Sequence, residues 1–471
     1  MATSKKKILL LGDDMRLHSG VGTMCKEIVT GTLKHFDWVQ LGGAIKHPEA
    51  GKGFLDISKD EFIIEQSGVS DGYVKILPVD GYGNPDLVRD VITLEKPDAI
   101  LHFTDPRFWG WLYDMSHEFR TEGIPLMYYN IWDDLPYPHW NEPFYESCDL
   151  LMGISKQTYN INKNVCQRKP RTDWDLTYVP HGIDENKYFP IEPTDSKYVS
   201  IKSKLLGDID YEFIAFFNSR NIHRKGCNSL IQAFGKFAES IPEDKKDKVA
   251  LLMHTDVVDQ NGTDLLASVE NLYPDLNVIF STAKLDVSDL NVLYNIADVV
   301  CQPSSAEGFG LSHMEGMMSG TPTIATVIGG LQDQMGFKVD GKEFTKEHLT
   351  TEIPSNSTGK ISKEHGSWVY PLWPQLSLQG SPPTPYIYDS RPNIDDIVSG
   401  LKYWYELTPE QRVEKGLQGR QWAIDNGFTK FGMCTEMSKS IMQFFNKWQK
   451  PEKFTLKKIN QEKLNYPAGV L

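Results

Sequence analysis

Short apolar runs, each followed by a helical pattern, recur along this chain in two separate series, and that alternation is the signature of parallel strands joined by crossover helices. In the first series the strand-like segment 7–12 leads into a helix whose Val21, Met24, Cys25, Ile28 and Val29 fall on one face. Segments 99–103, 126–131 and 150–154 read as later strands of the same half. A second series opens at 213–218. It continues with a helix after Gly226 that places Cys227, Leu230, Ile231, Phe234, Phe237 and Ala238 on one face, and with strands near 249–254, 278–280 and 298–302. Between the two series, 178–190 (YVPHGIDENKYFP) mixes Pro, Gly and Asp, and the hinge is expected there. Residues 336–389 are irregular and rich in Gly, Pro, Ser and Thr, which predicts an elaborated loop region. Three helical patterns close the chain near 394–405, 409–426 and 430–448.

At 471 residues the chain exceeds what one hydrophobic core organises, so two domains of roughly 200 residues each are expected. Lys and Arg total 49 against 63 Asp and Glu, a net charge of -14, which gives no general attraction to phosphate backbones or anionic membranes. No run approaches the roughly 18 apolar residues of a membrane span. The basic start, 1–7, precedes an apolar run, 8–11, too short for a signal-peptide core, and reads as the first strand. Cys25, Cys148, Cys166, Cys227, Cys301 and Cys434 are scattered without a Cys-x-x-Cys pair, so reduced thiols and a cytoplasmic location are expected.

The most informative block is 303–322, PSSAEGFGLSHMEGMMSGTP, which follows a strand, passes through a Gly-containing loop and becomes a helix. Backbone N–H groups around Gly308, Phe309, Gly310 and Leu311 suit phosphate, and glycines let that backbone approach a ligand closely. Glu307 and Glu315 are placed so that both can face one ligand, where carboxylates grip sugar hydroxyls through charge-assisted hydrogen bonds. Charges that merely stabilise a helix dipole are the plain alternative. Upstream, 218–226 (NSRNIHRKG) carries Arg220, Arg224 and Lys225, either a solvated basic turn or cations aimed at a leaving diphosphate.

Together, AEGFGLSHMEGMMSGTPTIAT and NSRNIHRKG resemble the signatures of the retaining glycosyltransferases of family 4 and their glycogen-synthase-like relatives. The resemblance implies an α/β, GT-B fold, two Rossmann-like domains with parallel sheets facing across a cleft. The implied division is 1–183 for the acceptor domain, completed by a helix at about 430–450, 184–429 for the donor domain, and 451–471 as a tail. It further implies that Glu315 binds the donor ribose, that Glu307 and the backbone of 308–311 hold the sugar and diphosphate, and that Arg220 and Lys225 meet the diphosphate charge. The turn Ser19-Gly20-Val21-Gly22 matches the family's Gly-rich turn, with Gly22 facing the donor. His102-Phe103-Thr104-Asp105 resembles the His-x-His-acid element, with Thr104 in place of the second His. His102 is accordingly a catalytic candidate that equally fits a core histidine.

Asp105, Trp132 and Asp133, with Asp134 beside it, are acceptor-side candidates, and His181 reads as a structural hinge residue. The tripeptides at 173–175 and 208–210 match Asp-x-Asp only at chance level, so no metal and no cofactor beyond a nucleotide-diphosphate sugar co-substrate is expected. The expected activity is metal-independent, retaining transfer of a hexose or related sugar from a UDP-, GDP- or ADP-linked donor to a hydroxyl acceptor. The alternatives are transfer to a hydroxymethylated base, with nucleic acid as acceptor, a GT-B-like phosphorylase or epimerase, and a non-catalytic nucleotide-sugar-binding protein.

Overall fold

The computed structural model describes residues 5–166, 170–207 and 209–451, arranged around two main sheets. The first contains β1 (Lys6–Asp13), β2 (Phe36–Ala44), β3 (Leu55–Asp56), β4 (Val74–Asp80), β5 (Ala99–Phe103), β6 (Leu126–Asn130), β7 (Leu150–Gly153) and β8 (Leu176–Tyr178). Their order is β3-β4-β2-β1-β5-β6-β7-β8, parallel throughout except for β3 against β4. The second half supplies β9 (Phe213–Asn218), β10 (Val249–His254), β11 (Val278–Ser281), β12 (Val299–Gln302), β13 (Thr323–Thr326), β14 (Lys338–Val339), β15 (Lys342–Glu343) and β16 (Val369–Leu372). Six of these build a parallel sheet in the order β11-β10-β9-β12-β13-β16. Parallel strands with helices on both faces bury both sets of side chains, which explains the unbroken apolar runs. Ile8, Leu9, Leu10 and Leu11 are each fully buried, as are Phe213, Phe216 and Phe217.

The region 336–389 corrects the sequence reading. It is not a loop region throughout: it contributes β14 and β15 as a small hairpin, β16 as an edge strand of the second sheet, and a second hairpin of β17 (Pro374–Ser381) and β18 (Thr384–Pro392). Pro371 inside β16 suppressed the strand signal, yet a proline is tolerated there because β16 lies at the sheet edge. The strand β4 was hidden for a similar reason, with Lys75 and Pro78 breaking its apolar pattern.

Two crossings tie the halves together. Ile183 pairs with Thr429 in a parallel bridge, the Ile183 N–H donating to the Phe428 carbonyl at 3.0 Å and the Lys430 N–H to the Ile183 carbonyl at 3.0 Å. The last helix, Lys430–Lys447, then packs on the first helix, Gly20–Thr32. Lys430 Nζ reaches Thr30 Oγ1 at 3.0 Å and pairs with Glu27, and Cys434 Sγ contacts the Glu27 carbonyl at 3.4 Å. Of the Asp-x-Asp tripeptides, Asp208 lies outside the described residues. Asp175 is used locally, accepting from the Thr172 N–H at 2.6 Å and hydroxyl at 2.8 Å. Within the tail, 452–471 also lie outside the described residues.

Candidate active site

The carboxyl ends of β1, β5 and β6 from the first sheet face those of β9 and β12 from the second across a cleft of ≈ 630 Å³. Open α/β sheets bind ligands at this end, where strand order reverses on either side of a central strand. In the first sheet the reversal lies between β1 and β5, and in the second between β9 and β12. Gly20 and Val21 enter the cleft after β1, Asp105 and Arg107 after β5, and Trp132, Asp133 and Asp134 after β6, with His181 arriving from the hinge. The facing wall carries Arg220, Arg224 and Lys225 after β9 and the loop Ala306 to Ser312 after β12.

Glu307 is the electrostatic centre. Its side chain is 7% exposed, and its Oε1 accepts from Lys225 Nζ and from Ser304 Oγ at 2.8 Å, while Arg224 stands 3.5 Å from Oε2. Burial by itself would push this carboxyl up. The Lys225 ammonium and the Arg224 guanidinium, with the bonds from Lys225 and Ser304, overcome that and hold it at about 2. Burial also pulls Lys225 below its ordinary value, with Glu307 opposing the fall and neighbouring Arg224 reinforcing it. Across the cleft, burial pushes Asp133 up to about 6, with Arg224 opposing and Glu307 reinforcing the rise. Burial, and then Asp133 itself, push Asp134 well up.

Backbone geometry at the loop explains its glycines. Gly310 caps the helix Leu311–Met318 at φ 90°, in the left-handed region that favours glycine, and no side chain caps the opening N–H groups. A Cβ on Gly308 would stand 2.8 Å from the Ile131 carbonyl of the opposite half, so only glycine lets the loops approach this closely. Phe309 is buried, its ring edge-on to that of His181 with centroids 5.3 Å apart.

Of the residues singled out by sequence, Glu307, Gly308, Phe309, Gly310, Leu311, Arg220, Lys225, Asp105, Trp132 and Asp133 all line this cleft. Three do not. His102 is fully buried on β5, its Nδ1 2.6 Å from the Tyr113 hydroxyl and its ring stacked on Tyr128 at 5.1 Å. Burial lowers its pKa to about 3, so it is a neutral core histidine, and the catalytic assignment is withdrawn. Gly22 lies inside the first helix, its N–H donating to the Ser19 cap at 2.9 Å, so Gly20 and Val21 are the residues of that turn that reach the cleft. Glu315 stands just over one turn along its helix, outside the cleft lining, with Oε2 accepting from the Tyr294 hydroxyl at 2.6 Å.

Of the other cleft residues, sequence reasoning named Arg224 in the basic turn, Asp134 beside Asp133 and His181 as a hinge residue, and missed Arg107. Arg224 carried a usable signal as the neighbour of Lys225 in one short basic turn. Arg107, which forks onto Asp105 and lies 5.3 Å over the Trp132 ring, carried none. The exposed Arg220, 68% accessible with Asp259 at 3.4 Å, is less committed than Arg224.

Residues 203–346 match the family described as glycosyl transferases group 1. This matched segment contains β9 to β13, the basic turn and the Glu307 loop. Mannosylfructose-phosphate synthase of Agrobacterium fabrum is 27% identical over 191 residues, 40% of this chain and 39% of that protein. D-inositol 3-phosphate glycosyltransferase of Corynebacterium urealyticum is 45% identical over 202 residues, 41% of this chain and 45% of that protein. The chain therefore spans less than half the length of either relative. A solved structure of Anabaena Alr3699/HepE in complex with UDP and glucose superposes with a TM-score of 0.62 at 16% identity, covering 93% of this chain and 99% of that one. Sucrose-phosphate synthase from Thermosynechococcus elongatus gives 0.65 at 15% identity, covering 94% and 100%. The fold is GT-B, two Rossmann-like halves facing across the cleft.

Proposed function

We propose that this chain is a glycosyltransferase that moves a sugar from a nucleotide-diphosphate donor to a hydroxyl acceptor with retention and without a metal ion. The observation that carries this reading is Glu307, kept ionised between Lys225 and Arg224 at a helix opening that faces the first half across the cleft. A departing diphosphate gains negative charge. Fixed cations and free helix N–H groups aimed at it stabilise that charge in place of a metal, and removal of an equivalent oxyanion donor elsewhere costs about 3–4 kcal/mol. Arg224, Lys225 and Arg220 supply the cations, and the opening of Leu311–Met318 supplies the N–H groups.

A carboxyl held at about 2 is a poor proton acceptor, so Glu307 serves as a sugar clamp rather than a base. Glu315 is assigned the donor ribose on the family resemblance; it stands behind the cleft lining, where its Oε2 accepts from the Tyr294 hydroxyl, which also takes a bond from Asn218 at 2.8 Å. The acceptor hydroxyl then attacks the face of the sugar that the diphosphate leaves.

The test is incubation of the full chain with UDP-, GDP- and ADP-sugars, with chelator present, scoring nucleotide release with and without added acceptor and reading the anomeric configuration of the product by NMR. Acceptor-dependent release with retained configuration is expected. Inverted product overturns retention, and dependence on added divalent ion overturns metal independence. Donor binding without turnover under any acceptor would leave a binding protein.

A further inference from the structure

Behind Asp133 and Asp134 the region 336–389 closes a second cavity of ≈ 170 Å³. Asp133, Asp134 and Ala306 line both this cavity and the main cleft, so the two spaces meet at that wall. The far side is built from Ser355, Ser357, Thr358 and Lys360 and from the β17–β18 hairpin. The hairpin is fastened to the first half: the Tyr388 N–H donates to the Leu135 carbonyl at 2.6 Å, and the Tyr386 ring meets Trp140 edge-on at 4.4 Å. The backbone carbonyls of Asp133 and Asp134 accept from Gln157 and Trp132, but among the described residues no side chain donates to either carboxylate. Adjacent half-buried carboxylates without a side-chain donor have acceptor capacity that hydroxyls of a ligand can fill.

We propose that this second cavity is the acceptor subsite and that it holds one neutral, polyhydroxylated ring of monosaccharide size, whose hydroxyls donate to Asp133 and Asp134. The proposal rests on the transferase reading above. Size supports a single ring: a cavity of about 150 Å³ holds a benzene molecule, so this one has room for one ring. Charge favours a neutral ring, since among the lining residues Asp133, Asp134 and Glu352 outnumber Lys360, with Arg224 of the main cleft partly offsetting the two aspartates. Position supports the role, because Asp133 borders both this cavity and the cleft that contains Glu307.

The experiment measures nucleotide release by the full chain from the nucleotide sugar it binds best. The acceptors are D-glucose, D-mannose and myo-inositol, then D-glucose 6-phosphate, then an oligonucleotide carrying 5-hydroxymethylcytosine. A neutral ring is expected to accelerate release. Thr358→Trp, which fills the cavity from its rim, and Asp134→Asn, which keeps its shape, should each raise KM for that acceptor about tenfold or more while the donor dissociation constant stays within about twofold. Donor binding and the melting temperature report whether each variant folds, and Asp134→Asn decides if Thr358→Trp does not. Acceleration by the sugar phosphate or the oligonucleotide alone, by none of the acceptors, or an unmoved KM in the folded variants overturns the inference. A wild-type chain that binds no nucleotide sugar defeats the transferase reading itself, and this inference falls with it.

Discussion

Removing Lys225 would strand Glu307 as a buried carboxylate with Arg224 and Ser304 as its remaining partners. Breaking a buried pair in this way costs about 3–5 kcal/mol, so Lys225→Met should lower the melting temperature measurably at neutral pH. The pH dependence follows from the direction of the Glu307 shift. Its folded pKa of about 2 lies below the ordinary value of 4.5, so its ionised form contributes stability that is fully present above pH 4.5 and is lost as pH falls through 2. Thermal melts of the wild type and Glu307→Gln should therefore converge on acidification across that window, and a constant gap would contradict it. Glu315 makes a different demand. Truncation to Ala removes a charge-assisted contact worth about 1.5–3 kcal/mol, which predicts a donor dissociation constant raised roughly 10- to 100-fold by calorimetry. Unchanged donor affinity would sink the ribose assignment.

At the scale of elements, the last helix is held to the first by close packing as well as by charge. A Cβ added at Gly31 would overlap Cys434 Sγ, so Gly31→Ala should destabilise by about 1–3 kcal/mol in denaturant unfolding. Pairing it with Cys434→Ala should recover part of that loss, because the two sites share one contact. Purely additive effects would place the strain elsewhere. Continuous apolar strands such as β1, β5, β9 and β10 were legible in sequence because a strand buried on both faces leaves an uninterrupted run. β4 and β16 were not, because each carries a proline that reads as a break until its place near or at a sheet edge is known. The β17–β18 hairpin stayed hidden because its first strand is almost wholly exposed and shows no buried face.

For the whole molecule, the crossing of Ile183 and Thr429 fixes how the two halves face each other. A Cβ at Gly182 would overlap the Thr429 carbonyl, a backbone atom with little room to yield. Gly182→Ala should therefore cost about 1–3 kcal/mol and reduce turnover more than it reduces stability-matched core variants, because the crossing sets the width of the cleft. Turnover unaffected in a folded variant would mean that the cleft is set elsewhere.

The sequence by itself determined the two strand-and-helix series, the loop-to-helix junction at Glu307 and the basic turn before Cys227, because these depend on local pattern and spacing. Tertiary structure alone decided that His102 is sealed among Tyr113, Tyr128 and Trp109 while His181 reaches the cleft, a difference of burial that no local pattern encodes. It also decided that Arg224 closes on Glu307 from 83 residues away, and that Asp133 and Asp134 sit between two cavities whose walls come from opposite halves of the chain. Contacts of that separation form only when both sheets are folded and the chain has crossed twice between them, so no window of sequence contains them.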